Sequence, residues 1–210
     1  MSPRPGAFEV LNFWFGARPY SPLQVQQHSR LWFGEANAPE LTPQTDELVR
    51  DRFGELMLDA ASGKLVAWES SPRRRLALIL LLDQFARNIY RGEAKAFAQD
   101  AHALSLTLTG MQVGADATLD PVERIFFYMP LMHAEDAEVQ DESLAAFRRL
   151  QDESPADKRA VFEDSLRSAV EHRQIIARFR RFPHRNRALR RDSTAEEVRW
   201  LATEGKSFGQ

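Results

Sequence analysis

The sequence predicts an all-α protein, and three observations carry that expectation. Helix starts recur as a capping side chain followed by proline, at Thr42-Pro43, Ser71-Pro72, Asp120-Pro121 and Ser154-Pro155. There the side-chain oxygen can accept an orphan amide, and the proline gives up no helical hydrogen bond. Apolar residues recur between these starts with a period of about 3.6 residues, and no segment sustains the period-two alternation of a half-buried strand. With 210 residues, 43% of them apolar, and no Pro/Gly/Ser-rich linker, the chain is expected to form a single domain over 1–210 with one core.

Helices are expected near 6–15, 22–33, 43–61, 72–91, 100–112, 121–150, 155–180 and 194–203. The first two end in similar aromatic runs, Phe13-Trp14-Phe15-Gly16 and Leu31-Trp32-Phe33-Gly34, each closed by a glycine that suits a helix C-terminus. Asp120 with Glu123 and Ser154 with Asp157 extend two of those starts into capping-box-like pairs, and Ser193 with Glu196 makes a regular box at one further start. Pro130 should kink the helix that begins after Asp120, since its ring clashes with the preceding turn and it has no amide to donate. Short connections make successive helices antiparallel neighbours, as a stacked hairpin array or as a bundle, and periodicity does not choose between the two.

Composition removes several functions. There is no cysteine, so disulfides, thiolate metal sites and thiol catalysis are excluded. The formal net charge of −2 disfavours a nucleic-acid partner. The first ten residues carry no secretory apolar core, and Leu76–Leu82, the longest apolar run, is far too short to span a bilayer, so a cytoplasmic location without a membrane partner is expected. No H-E-x-x-H, G-x-G-x-x-G, P-loop, G-x-S-x-G or S-x-x-K pattern occurs, and neither a metal nor another cofactor is expected.

Polar residues that interrupt apolar faces mark the candidate site. The helix containing L-A-L-I-L-L-L is apolar all round in its first turns, then places Asp83, Gln84, Arg87, Asn88 and Arg91 on one arc of about 140 degrees. Asp83 and Arg87 form either an ordinary surface pair or one wall of a polar pocket. His133 falls on the inward stripe of its helix with Arg124 on the same element and Asp136 one turn on, and His172 falls on the inward stripe of the next. Each histidine is either a hydrogen-bonded core residue or part of a shared site. Arg178–Arg191 holds seven arginines and His184 in fourteen residues, interleaved with Phe179 and Phe182. Pro183 should stop the preceding helix and turn His184, Arg185 and Asn186 back onto the bundle, where with Arg181 they could clamp a carboxylate or phosphate.

These same segments carry a resemblance. L-A-L-I-L-L-L-D-Q-F-A-R-N-I-Y-R-G (76–92), A-F-A-Q-D (96–100), P-V-E-R-I-F-F-Y-M-P-L-M-H-A-E-D (121–136), R-F-R-R-F-P-H-R-N (178–186) and D-S-T-A-E-E (192–197) resemble the bacterial family known as domain of unknown function 924, as do L-N-F-W-F-G and L-W-F-G near the start. The resemblance implies an all-helical fold of tetratricopeptide-like class and no transferable activity. Its pattern has glycine where this chain has Arg180 and Arg190, so a tight turn is implied at both places, along with a raised local charge that could close a site.

Phosphate or nucleic-acid binding through Arg178–Arg191 would need a coherent positive surface; beside it, two functions of different kind follow. One is a binding or scaffold protein whose stacked helices offer a groove to a peptide or protein partner. The other is an enzyme or small-molecule binder whose pocket of Asp83, Arg87, Asn88, Arg124, His133, Asp136, His172, Arg181, His184, Arg185 and Asn186 recognises an anionic ligand. Whether His133, His172 and Arg87 meet discriminates between them.

Overall fold

Asp120 caps its helix as the sequence implies, its side chain accepting from the Val122 amide, whereas Ser71 starts a helix without a side-chain cap bond. The computed structural model describes residues 5–33, 41–154 and 159–205, and among these there is no strand. The helices are α1 Ala7–Phe15, α2 Pro22–Phe33, α3 Leu41–Ala61, α4 Pro72–Leu80, α5 Ala86–Ile89, α6 Asp100–Gln112, α7 Pro121–His133, α8 Ala137–Glu153, α9 Arg159–Phe179 and α10 Ala195–Thr203. For the helix starts drawn at Thr42-Pro43 and Ser154-Pro155, the Thr42 side chain and Pro155 lie outside the described residues, as does Gly34. None of the described helices is long and apolar enough to cross a membrane.

α4 is the centre of the fold. It packs on α1, α6 and α7, and Leu76 to Leu82 are all at most 1% exposed, as an apolar helix without a polar face requires. Aromatic rings lock the N-terminal helices onto α7. Phe126 lies 4.9 Å from Trp32, 5.4 Å from Phe15 and 5.5 Å from Trp14, in edge-on geometry. Gly16 ends α1 at φ 76°, and its amide closes on the Asn12 carbonyl at 2.9 Å. Gly110 lets α6 approach α7 and α4, since a Cβ there would come within 2.6 Å of the Phe127 ring. Farther along, α7 packs on α8 and α8 on α9, so consecutive helices lie side by side.

Three boundaries differ from the sequence reading, each for a local reason. The expected helix 121–150 is two helices: α7 runs through Pro130 to His133, and the chain breaks at Ala134–Asp136. Buried Gln140 reaches back to donate to the Met132 and Ala134 carbonyls at 2.6 and 2.8 Å, supplying donors that the end of α7 lacks. The helix 72–91 contains a π-helical turn at Leu81–Phe85, invisible to a 3.6-residue template. Finally, α10 is capped by Thr194 with Glu197, one residue beyond the expected Ser193–Glu196 pair.

Arg180 and Arg190 both occupy the left-handed region, at φ 60° and 53°. The tight turns implied at both places are therefore present, in a conformation where a Cβ is disfavoured. Arg180 donates its amide to Ile176 at 2.9 Å, closing the end of α9. Both side chains are exposed, which is a correction to the idea that they close a site. We expect Arg180→Gly and Arg190→Gly each to stabilise the protein by about 0.5–1 kcal/mol, the relief of strain exceeding the added flexibility of the unfolded chain. A rise of roughly 1–4 °C in Tm for each would register this, and a fall would show that the arginine side chains contribute more than the backbone costs.

Candidate functional site

The site is organised around one buried carboxylate. Asp83 lies in the π turn and is fully buried. Its Oδ1 is 2.6 Å from His133 Nδ1 at the end of α7 and 3.0 Å from Arg87 Nη1, while Oδ2 accepts from the Gln84 amide. Arg87 also donates to the Asp83 backbone oxygen at 3.0 Å. The same guanidinium forks onto Asp100, at 2.9 Å to Oδ1 and 3.0 Å to Oδ2. Asp100 is the first residue of α6, where helix amides favour a carboxylate.

The turn after α9 brings the second half. Pro183–Arg185 form a short 3-10 turn that folds back as Pro183 predicts. Glu135, in the α7–α8 connection, pins it: one carboxylate oxygen accepts from the Phe182 amide at 2.8 Å and Arg191 Nη2 at 2.9 Å, and the other from Arg191 Nη1 at 2.6 Å. Arg185 is then held between the rings of Phe97 and Phe182, 4.7 and 4.5 Å from their centroids, with Nη1 donating to Asp100 Oδ2 at 3.2 Å. The His172 ring lies 6.1 Å from that of His133 and 5.4 Å from Phe182, and His184 packs 5.5 Å from Phe182 on the same turn.

Charge and burial set the protonation of these groups. Burial alone would raise the Asp83 carboxyl, but Arg87 and His133 outweigh it and hold Asp83 below the usual carboxylate range. Burial and the Arg87 charge lower His133 against the pull of Asp83. Burial, with His133 beside it, lowers His172 to about 3; burial, with Arg185 beside it, lowers His184 to about 3. Arg185 falls to about 10, through burial and the neighbouring Arg87 charge. Tautomers follow from the partners. His133 Nδ1 faces an ionised carboxylate, and His172 Nδ1 faces the Ser168 carbonyl at 2.8 Å; each acceptor requires Nδ1 to carry the ring proton, which leaves Nε2 as the basic nitrogen.

Of the residues named from sequence, Asp83, Arg87, His133, His172, His184 and Arg185 come together. The others do not. Asn88 and Arg91 bind Asp46 of α3, with Asn88 Nδ2 at 2.8 Å and Arg91 Nε at 2.6 Å. Arg124 belongs to a separate network with the Tyr128 hydroxyl and Glu153, at 3.2 and 2.7 Å. Asp136 is exposed and caps α8 through the Glu138 and Val139 amides, at 2.9 and 3.0 Å; the break at 134–136 takes it away from His133, whose partner is Asp83. Arg181 pairs with Glu197 at 2.7 Å. Asn186 accepts from Arg191 at 3.0 Å and donates to Ser193 at 3.0 Å. Asp100, Glu135, Phe97 and Phe182 complete the site without having been singled out for it. Among the described residues no group of three or more metal-ligating side chains is arranged to hold a metal ion.

The arginine-rich segment resolves into internal pairs. Arg178 reaches Glu196 at 2.8 Å, Arg181 reaches Glu197, Arg185 reaches Asp100 and Arg191 reaches Glu135. Only Arg180, Arg187 and Arg190 are left as exposed arginines without such an ion pair.

Acid should destabilise this arrangement through its buried histidines. In the unfolded chain His172 and His184 titrate near 6.5, whereas in the fold both stay neutral to about 3. The unfolded state therefore binds more protons throughout that window, so their contribution is complete above pH 6.5 and is lost as pH falls towards 3. Each unit of separation corresponds to about 1.4 kcal/mol, so urea midpoints should drop steeply between pH 7 and pH 4.5. His172→Gln should flatten that slope relative to wild type; an unchanged slope would show that His172 is not buried as a neutral ring.

A sequence model described as "Bacterial protein of unknown function (DUF924)" matches residues 10–205. Among solved structures, the protein of unknown function ATU0120 from Agrobacterium tumefaciens is similar at 34% identity and a TM-score of 0.75, covering 95% of this chain and 97% of that one. No match is found among curated proteins. With the family match spanning residues 10–205, the chain belongs to the DUF924 family.

Proposed function

We propose that this protein binds a small anionic molecule in the polar site formed by Asp83, Arg87, His133, His172, His184 and Arg185. The observation that carries the reading is the state of Arg185. It is only 6% exposed, yet its carboxylate partner, Asp100, is already forked by Arg87. Its Nε is buried without a hydrogen-bond partner, and no hydrogen bond engages Nη2 among the described residues. The Nε–Nη2 edge is the one that grips a carboxylate or phosphate with two parallel bonds. Buried polar groups are otherwise satisfied in folded proteins, and the flanking rings hold the guanidinium plane in place for such a ligand.

The competing reading, a groove for a peptide or protein, draws on the side-by-side helices alone. The meeting of His133 with His172, and of His133 with Arg87 through Asp83, favours the small-molecule site.

Sulfate and acetate serve as probes, followed by NMR chemical shifts. We expect saturable shifts at the His133 and His184 rings at millimolar concentration. Arg185→Met, which keeps an apolar stem between the two phenylalanines, should weaken binding at least tenfold, and Arg187→Ala, an exposed control, should leave it unchanged. Equal losses in the two variants, or no saturation in wild type, would remove the site and leave the groove reading.

A further inference from the structure

The same site holds an Asp–His pair whose chemistry exceeds anion capture. We propose that His133 is the proton-transfer group of this site: with Nδ1–H held on Asp83, its Nε2 takes up one proton when an oxyanion docks at Arg185 and returns it when the anion leaves. The inference rests on the small-molecule reading above and adds acid–base chemistry to it.

Charge balance is the first argument. The inner cluster holds two carboxylates, Asp83 and Asp100, against two guanidiniums, Arg87 and Arg185, with Glu135 matched by Arg191. With neutral histidines it sums to zero, so an added anion leaves one uncompensated negative charge in a largely dry site, and a proton is the smallest cation that restores balance. Position is the second argument. His133 is the histidine in contact with a carboxylate, and that contact both orients the ring and stabilises the imidazolium, the role an aspartate has behind a catalytic histidine. The charged groups acting on His133 are Asp83 and Arg87 from the helix containing the π turn and Asp100 from α6, with neutral His172 and His184 beside it and Arg185 next to those two rings on the turn after α9. Burial holds both of those rings at about 3, whereas His133 has its Nδ1 2.6 Å from the Asp83 carboxylate that stabilises an imidazolium, so the proton goes to His133. The third argument is access: the His133 side chain is 14% exposed, enough to exchange a proton with water. The proton arrives from solvent or from an acidic ligand, bonds to the Nε2 lone pair, and breaks no other bond in the protein.

The test measures sulfate affinity by NMR titration between pH 5.5 and 8, with acetate as a second probe. Sulfate stays fully ionised across this range, so any pH dependence belongs to the protein. Linkage requires the dissociation constant to rise with pH, towards tenfold per unit where uptake is complete, and requires the His133 titration midpoint to rise on saturation with sulfate. His133→Asn should keep measurable binding and lose the pH dependence. Nitrogen shifts in the free protein at pH 7.5 should report the Nδ1–H form of His133. Binding with a flat pH profile, or an Nε2–H tautomer, would overturn the proton-transfer role while leaving the anion site standing. No binding of either probe would overturn both.

Discussion

Burying the Asp83 carboxylate is the expense around which this end of the fold is arranged. An ionised carboxylate taken out of water costs several kcal/mol even after relaxation, and only close, well-aligned partners offset it. Asp83 obtains them from three directions: Gln84 beside it, Arg87 one turn on and His133 from α7. Each partner then imposes its own requirement. Arg87 must be matched by a second carboxylate, which draws the start of α6 to it through Asp100. His133 must end α7 at the right depth, which places the break at Ala134–Asp136 and frees Glu135 to pin the turn after α9. The π turn belongs to the same logic. It widens the helix at Asp83, whose carbonyl accepts from the Arg87 side chain as well as from the Ala86 amide, a local irregularity of the kind found at functional sites more often than in plain structural helices.

Two other buried polar networks show what a purely structural arrangement looks like here. Glu123, fully buried, is surrounded by Arg18, Tyr20 and Arg73, which tie the α1–α2 connection and α4 to α7. Tyr128 donates to Asp116 at 2.5 Å and accepts from Arg124, which in turn reaches Glu153. In both, each carboxylate is met by guanidinium or hydroxyl donors. The Asp83 cluster balances in charge, but its hydrogen bonding is incomplete at Arg185. Balanced charge with an idle donor edge suits a site that stays folded when empty and has a definite place for an anion to land.

How much of this was legible in the sequence depends on whether the cue was local. Asp83, Arg87, His133 and His172 announce themselves by interrupting apolar stripes, and the rotation of a helix puts them inward whatever the rest of the chain does. Pro183 is equally local, and the return of His184 and Arg185 follows from it. Asp136 misled because it sits one turn after His133 on an assumed continuous helix; the actual break makes it a cap and promotes its neighbour Glu135. Asp100 carries no stripe to interrupt, since it lies at a helix start where an aspartate is ordinary, and its role comes from a contact with Arg185 eighty-five residues away. Phe97 and Phe182 look like core residues from sequence because their apolar character is the same whether they fill a core or sandwich a guanidinium.

The two left-handed arginines show how the arginine-rich segment separates backbone from side-chain duties. At 180 and 190 the backbone must turn in a way that a Cβ resists, so glycine is the unstrained choice, and arginine there is tolerated because both side chains extend into solvent. Between and just after them the chain places Arg181, Arg185 and Arg191, each aimed inward at a different carboxylate: Glu197, Asp100 and Glu135. Arg181 and Arg191 are engaged through paired bonds that include both oxygens of their carboxylates, and they fix the turn to α10 and to the α7–α8 connection. Arg185 has only a share of Asp100. Being held on both sides by saturated neighbours, it does not need a full pairing of its own to keep its place, and that is what allows a buried guanidinium to keep an edge in reserve for a ligand.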